Sequence, residues 1–250
     1  MVDRLREGSK SSVEEQRDNA GINQHNHFYS DVQIKLVIPN HHGENLVGIL
    51  HDTSSKELVI VCHGIKSVKE RIPMVSLAAA IGKTGISAFR FDFAGNGESE
   101  GSFRYGNYHR EAEDLHAVAQ HFRGIGRIIT MIVGHSKGKF QYRVTKKSLM
   151  DRLSTDVRSA CHLISEDCRV LTIHGSMDQI VPVKDALEFD EVIANHTLRI
   201  IDGADHEFTL HQNELVQVTL DFIRNQNQCD DTADALLFHA RGRSSICPKL

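Results

Sequence analysis

A serine, an aspartate and a histidine occur in that order along the chain, each within or next to a short glycine-containing motif. Ser136 lies in GHSKG, Asp178 follows HGSM, and His206 ends the motif GADH. A serine hydroxyl is a poor nucleophile unless a base removes its proton and an acid orients that base. We therefore predict nucleophilic catalysis in which Ser136 attacks, His206 acts as the base and Asp178 orients the histidine.

Each of these three residues also has a purely structural interpretation. Ser136 could be an ordinary turn serine, and His206 could be a surface histidine between two acids. Asp178 could cap the amino terminus of a helix predicted at 182–193, a role that is compatible with orienting a histidine. The sequence alone leaves these alternatives open.

The motif GHSKG directly follows an apolar segment of strand length at 128–133. In a turn from strand to helix, the glycines allow a sharp bend that lifts the serine hydroxyl above the sheet edge. The backbone N–H of the next residue, Lys137, then points at a developing oxyanion. A second such N–H is predicted from Ile65, in the turn CHGI after the apolar segment 58–61.

The elements that must position these residues alternate between strand and helix. Segments of strand type occur at 33–38, 46–50, 58–61, 87–93, 128–133, 170–173 and 198–201. Segments with the apolar spacing of helices occur at 73–81, 108–122, 182–193 and 212–224. The first two strands flank a turn and predict a hairpin. Buried strands that alternate with helices predict an α/β fold, with a mostly parallel sheet covered by helices on both faces.

Taken in order, these motifs resemble serine α/β-hydrolases, in particular feruloyl/cinnamoyl-esterase-like proteins and plant lipase- or esterase-like proteins. The resemblance includes the turn DFAGNGES at 92–99 and covers about 31–138 and 140–225. It implies the α/β-hydrolase fold, and hydrolysis of a small-molecule carboxylic ester through an acyl-enzyme, with no cofactor. Five residues are expected to support the turns that hold the oxyanion loop: His63, Gly64, Asp92, Gly95 and Gly97.

The chain departs from this family after Gly138. Only 41 residues separate Ser136 from Asp178, whereas two helices, two strands and their connections need about 48. Lys139 begins a polar segment, and no apolar run typical of a strand occurs between 139 and 167. We therefore predict an internal deletion after Gly138 that removes most of the cap, most of a helix and one core strand between 128–133 and 170–173.

Such a deletion leaves two structural outcomes. Direct pairing of the flanking strands would move Asp178 about 4.8 Å toward Ser136, and otherwise an unpaired edge remains inside the sheet. Since a misplacement of 1 Å can cost about 100-fold in rate, the triad either survives by a joint shift of the last strands or is assembled wrongly. The alternatives are therefore a catalytically impaired or non-catalytic variant, or a thioesterase or peptidase on the same triad.

Composition limits the remaining possibilities. A net charge of −4 over 250 residues gives no field that attracts nucleic acid, and no apolar run predicts a membrane span. The cysteines and histidines lack the spacing of metal ligands, so we predict no metal site. The wide spacing of the cysteines predicts free thiols and therefore a reducing, cytoplasmic location. The alternative location is the peroxisome, because Pro248-Lys249-Leu250 resembles a peroxisomal address. We predict a disordered arm at 1–28, one domain at 29–225 and an irregular tail at 226–250, and make no prediction of the oligomeric state.

Overall fold

The structure is a computed structural model that describes residues 32–135, 150 and 155–225. The predicted nucleophile Ser136, its neighbours Lys137 and Gly138, and the predicted arm and tail lie outside the described residues. Asp178, His206 and the loops after the first parallel strands lie inside them. The fold is therefore described for the two parts of the chain on either side of the predicted deletion.

The described residues form seven strands and five helices. The strands are β1 (Val32–Pro39), β2 (Asn45–Asp52), β3 (Glu57–Cys62), β4 (Ser87–Phe91), β5 (Ile128–Gly134), β6 (Val170–Gly175) and β7 (His196–Ile201). The helices are α1 (Ile72–Lys83), α2 (Tyr108–Gly124), α3 (Val157–His162), α4 (Val183–Val192) and α5 (212–225). None of these helices is long and apolar enough to cross a membrane.

The strands form two sheets. The first has the order β1-β2-β4-β3-β5, and the second pairs β6 with β7. The predicted hairpin is confirmed, since β1 and β2 are antiparallel, and β4 also runs antiparallel to β2. The remaining pairs, β3 with β4, β3 with β5 and β6 with β7, are parallel. The predicted α/β fold class is confirmed.

The central strand β3 separates the two hydrophobic clusters of the core. Val59 and Val61 belong to a cluster that contains α1 and α5, whereas Leu58 and Ile60 belong to a cluster that contains α2. Because side chains alternate across a strand, these clusters lie on opposite faces of the sheet. Helices therefore cover β3 on both sides, as its continuous apolar sequence predicts.

The expectation of a strand buried on both faces is wrong for β5. The residues Ile128 and Ile132 are 57% and 53% exposed, although the segment is predominantly apolar, like β3. The reason is the pairing: β5 is bonded only to β3, and β6 only to β7, so no described strand covers the other edge of either. Direct pairing of β5 with β6 does not occur.

Candidate active site

Asp178 and His206 lie just beyond the carboxyl ends of β6 and β7. The two strands pair in parallel along their whole length, with Gly175 opposite Ile201 at the last position. Backbone pairing continues past that point, because the Ser176 N–H donates to the Ile201 carbonyl at 2.9 Å. The two loops therefore leave the sheet side by side and bring the two predicted residues together.

The histidine and the aspartate share a short hydrogen bond. His206 Nδ1 donates to Asp178 Oδ2 at 2.8 Å, and Asp178 Oδ1 accepts the N–H groups of Ile180 and Val181 at 2.8 and 2.9 Å. Burial raises the pKa of Asp178, but the Val181 N–H, His206 and the Ile180 N–H together outweigh it and hold the pKa below its usual value. An ionised Asp178 keeps the proton on Nδ1 of His206 and leaves Nε2 as the basic nitrogen.

The alternative role for Asp178 as a helix cap is wrong. The amino-terminal cap of α4 is Pro182, and no side chain bonds to the first turn of that helix. The Asp178 carboxylate bonds instead to the N–H groups of its own loop, at Ile180 and Val181. Those bonds, and the bond to His206, orient the carboxylate toward the histidine.

His135 is a part of this site that the sequence did not identify. Its N–H donates to the Cys62 carbonyl at 3.0 Å, and its ring Nε2 donates to the His206 carbonyl at 3.2 Å. The two imidazole rings lie 5.1 Å apart at 69°. Burial lowers the pKa of His135 and outweighs the opposing charge of Glu207. The motif did not mark His135 because it occupies a position of G-x-S-x-G that any residue can fill.

A second unpredicted histidine lies behind Asp178. The ring Nε2 of His174 donates to the Val181 carbonyl at 3.0 Å and lies 3.5 Å from Asp178 Oδ2. His174 is buried at the end of β6. Its ring therefore supports the loop that holds the carboxylate in place.

The predicted oxyanion loop is held by His63. The N–H of Phe93 donates to His63 Nε2 at 3.1 Å, so that Nδ1 carries the proton and donates to the Gly64 carbonyl at 2.7 Å. Ile65, the predicted donor, is buried directly after this turn. Lys137, its predicted companion, lies outside the described residues, so that the pair of oxyanion donors stays a prediction.

Asp92 anchors the turn 92–99 through a fully buried carboxylate. It accepts the N–H and the ammonium group of Lys69, each at 2.7 Å, and the N–H of Glu98 at 3.0 Å. Hydrogen bonds from Lys35 and Lys69 hold the pKa of Glu98 at about 2. Burial lowers the pKa of Lys69, but the two carboxylates outweigh it and raise that pKa. Sequence reasoning missed Lys69, because a lysine in a charged segment is typical of the surface.

Two predicted glycines of this turn meet a steric requirement. Gly97 has φ +51°, and a Cβ there would lie 2.2 Å from Asp92 Oδ2. Gly95 has φ +75°, and a Cβ there would lie 2.1 Å from the Phe103 backbone nitrogen. Only glycine combines the left-handed conformation with such close contacts. Gly97 therefore lets the turn pack directly against the Asp92 carboxylate, and Gly95 lets it pack against the backbone at Phe103.

A cavity of about 570 Å³ begins at the histidine pair and follows the space between β5 and β6. Its volume lies in the range of pockets that hold small organic ligands. Among the described residues, no group of three or more His, Cys, Asp or Glu side chains could hold a metal ion. The lining at the catalytic end consists of Gly134, His135, His174, Gly175, Asp178, His206 and Phe208.

Comparison with known proteins links this architecture to solved structures. No family model matches the chain, and no curated protein matches it. A structure of Est1E from Butyrivibrio proteoclasticus with ferulic acid bound aligns with a TM-score of 0.69 and 16% identity, over 77% of this chain and 99% of that one. An esterase from Pyrococcus furiosus, Pf2001, aligns with 0.64 and 20% identity, over 79% and 91%.

A further match is XC6422 from Xanthomonas campestris, described as an α/β serine hydrolase without lid. It aligns with a TM-score of 0.59 and 20% identity, over 78% of this chain and 94% of that one. At such identities the likeness concerns the fold. The resemblance seen in the sequence motifs is thus matched in three dimensions, and the chain has the α/β-hydrolase fold.

Proposed function

We propose that this chain is a serine hydrolase that cleaves small carboxylic esters through an acyl-enzyme. Ser136 is the nucleophile, His206 the general base and acid, and Asp178 the group that orients the histidine. The N–H groups of Ile65 and Lys137 bind the oxyanion. The observation that carries the proposal is the buried bond of 2.8 Å between His206 and Asp178, two residues that line the cavity.

The chain order supports the assignment of the nucleophile. Ser136 is the residue that follows His135, and the ring of His135 contacts His206. Covalent geometry separates consecutive Cα atoms by about 3.8 Å. The contact of His135 with His206 therefore supports Ser136, the next residue, as the nucleophile.

The chemistry follows from the proton positions in the dyad. His206 Nε2 takes the hydroxyl proton as Ser136 Oγ attacks the acyl carbon, and the carbonyl oxygen becomes the oxyanion. The imidazolium, stabilised by Asp178, then protonates the departing alcohol as the ester bond breaks. A water molecule, deprotonated by the same histidine, attacks the acyl-enzyme and releases the carboxylic acid with Ser136 regenerated.

A fluorophosphonate probe tests the proposal, because it reacts with activated serines. The full chain should be labelled, and Ser136→Ala should abolish labelling. His206→Ala should slow hydrolysis of p-nitrophenyl acetate by about 1,000-fold or more. Ser76→Ala, which removes a hydroxyl on α1, is the matched control and should label fully. Undiminished labelling of Ser136→Ala would overturn the assignment.

A second candidate is a non-catalytic protein that binds a small apolar ligand. The observation that favours it is the separation of β5 from the pair β6 and β7, since triad geometry depends on how these strands are placed. Cooperative thermal unfolding without labelling or turnover would select this candidate. Turnover that is lost in Ser136→Ala would exclude it.

A further inference from the structure

We propose that residues 233–240, the segment ADALLFHA of the carboxyl-terminal tail, bind between β5 and β6 as a parallel strand and join the two sheets into one. This binding site is the part of the cavity between the two strands, and the other end of the same cavity is lined by His135, Asp178 and His206. It is independent of the proposed ester hydrolysis. We call the space between the two strand edges the slot.

The slot has the backbone groups that a strand requires. Residues 129 to 134 of β5 line the cavity, and so do all residues of β6 except Thr172. No described strand pairs with either of these edges. About half of the N–H and C=O groups of a strand point to each side. Covered backbone groups need hydrogen-bond partners, and an extended segment inserted here would supply them on both sides.

The slot also favours apolar side chains. On one face, Met131 and Val133 pack against the core cluster that contains α1 and α5. On the other face Ile132, which pairs with Ile60 across the β3–β5 ladder, is half exposed. A strand placed beside β5 would cover apolar surface on both faces. The run Ala235-Leu236-Leu237-Phe238 has that character.

The tail begins at the foot of the slot, where β5 and β6 start. Leu215, Thr219 and Phe222 of α5 line the cavity, so that this helix runs along the slot. Near its end, the Phe222 carbonyl accepts a bond from Arg169, the residue before β6. The chain therefore leaves α5 at residue 225 beside the point where a parallel strand would enter. The seven residues 226–232 span up to about 24 Å when extended.

The connection has the handedness that crossovers require. From β3 to β4 the chain moves toward β1 and crosses over α1, on the face of Val59. From β7 to the slot it would move in the same direction and cross over α5, on that same face. Crossovers with the same face and direction have the same hand, and this hand is right-handed in nearly all known cases.

Charge selects the tail over the nearer segment 139–147. Arg123 and Arg169 line the foot of the slot with a single acid, Asp167, and the Nη1 atom of Arg169 is buried there without a hydrogen-bond partner among the described residues. The tail carries acids just before its apolar run, at 230, 231 and 234. The segment 139–147 carries four basic residues and no acid, so that its insertion would bring like charges to the foot.

Hydrogen exchange of the full chain tests the proposal. The amides of 235–239 should exchange on the order of 100-fold more slowly than unstructured amides. The amides of β5 and β6 that point into the slot should be protected in the same way. The double substitution Leu236→Asp and Leu237→Asp should abolish this protection in all three places. The control, Ser244→Asp with Ser245→Asp, adds the same charge beyond the segment and should leave it unchanged.

Each other result overturns the proposal. Unprotected amides at 235–239 in the unsubstituted chain would do so even if the double variant fails to fold. Protection of 139–147 in their place would assign the slot to that segment. Protection that rises with protein concentration, with a dimer in light scattering, would show that a second copy supplies the strand.

Discussion

Strands β3 and β5 are both predominantly apolar but have very different surroundings. Ile60 of β3 and Ile132 of β5 are partners in the same ladder, yet Ile60 is 0% exposed and Ile132 is 53% exposed. β3 has a strand on each side, whereas the far edge of β5 has no described partner. An apolar run therefore determines that a strand forms, and the neighbouring elements determine whether that strand is buried.

The two sheets also differ in how many neighbouring elements support them. The five-stranded sheet has helices on both faces and carries the predicted oxyanion loop and the buried Asp92 network. The pair β6 and β7 has a single ladder, and two strands alone are marginally stable. The Asp178–His206 dyad depends on this second unit. The better-packed half therefore holds the loops at 63–65 and 92–99, and the less supported half holds His206 and Asp178, the proposed base and the group proposed to orient it.

The largest expected effect is the loss of the Asp92 carboxylate in the five-stranded half. Asp92→Ala leaves the ammonium group of Lys69 buried without its main partner, and breaking a buried pair costs about 3–5 kcal/mol. Urea unfolding measures this cost. The control Glu113→Ala removes an exposed partner of His42, and its free energy of unfolding should stay close to that of the unsubstituted chain. Equal costs for the two variants would contradict a supporting role for the network.

Truncation of one isoleucine in each strand measures how much the difference in burial between β3 and β5 contributes to stability. Ile60→Ala should reduce the free energy of unfolding by about 2–5 kcal/mol, since it opens a cavity in a closed core. Ile132→Ala should cost no more than about 1 kcal/mol, because half of that side chain is already exposed. Denaturant unfolding of both variants under the same conditions checks this. Similar costs would show that the burial difference has no energetic consequence.

The smallest expected effect concerns His135, which connects the end of β5 to the His206 turn. Its pKa is lower in the folded state than the ordinary 6.5, so its contribution to stability is complete above pH 6.5 and is lost as the pH falls through the folded value. His135→Gln keeps a donor and does not titrate. The free energy of unfolding of the variant should fall less steeply below pH 6.5, by at most about 1.4 kcal/mol per pH unit.

The pH dependence of unfolding for His135→Gln can have two outcomes. Parallel curves for the variant and the unsubstituted chain would contradict a depressed pKa for His135. A shallower curve for the variant would show that acid weakens the contact between the two sheets at this histidine.

Much of the fold could be predicted because its signals are local. The hairpin turn, the apolar strands and the spacing of helices such as α2 are read from neighbouring residues, and their bounds agree within a few residues. The meeting of Asp178 and His206 was also predictable, since residues after adjacent parallel strands reach the same sheet edge. The bond of 2.8 Å between them agrees with that expectation.

Other features could not be predicted because distant segments create them. Lys69 lies in the charged segment at 66–71, and only the fold surrounds it with the Asp92 carboxylate and the turn at 98. His135 becomes part of the site through a carbonyl 71 residues further along the chain. Neither residue type nor spacing carries such information, because the partner is absent from any local window.

The sequence by itself determined the order of elements, the three residues of the proposed triad and the shortage of chain after Gly138. Those properties follow from periodicity, turn chemistry and counting, which act over short distances. Only the tertiary structure decided that β5 and β6 stay apart, that the cavity runs between them and that β5 is half exposed. Strand partners and burial are properties of the assembled sheet, because both depend on which segments, far apart in sequence, become neighbours in space.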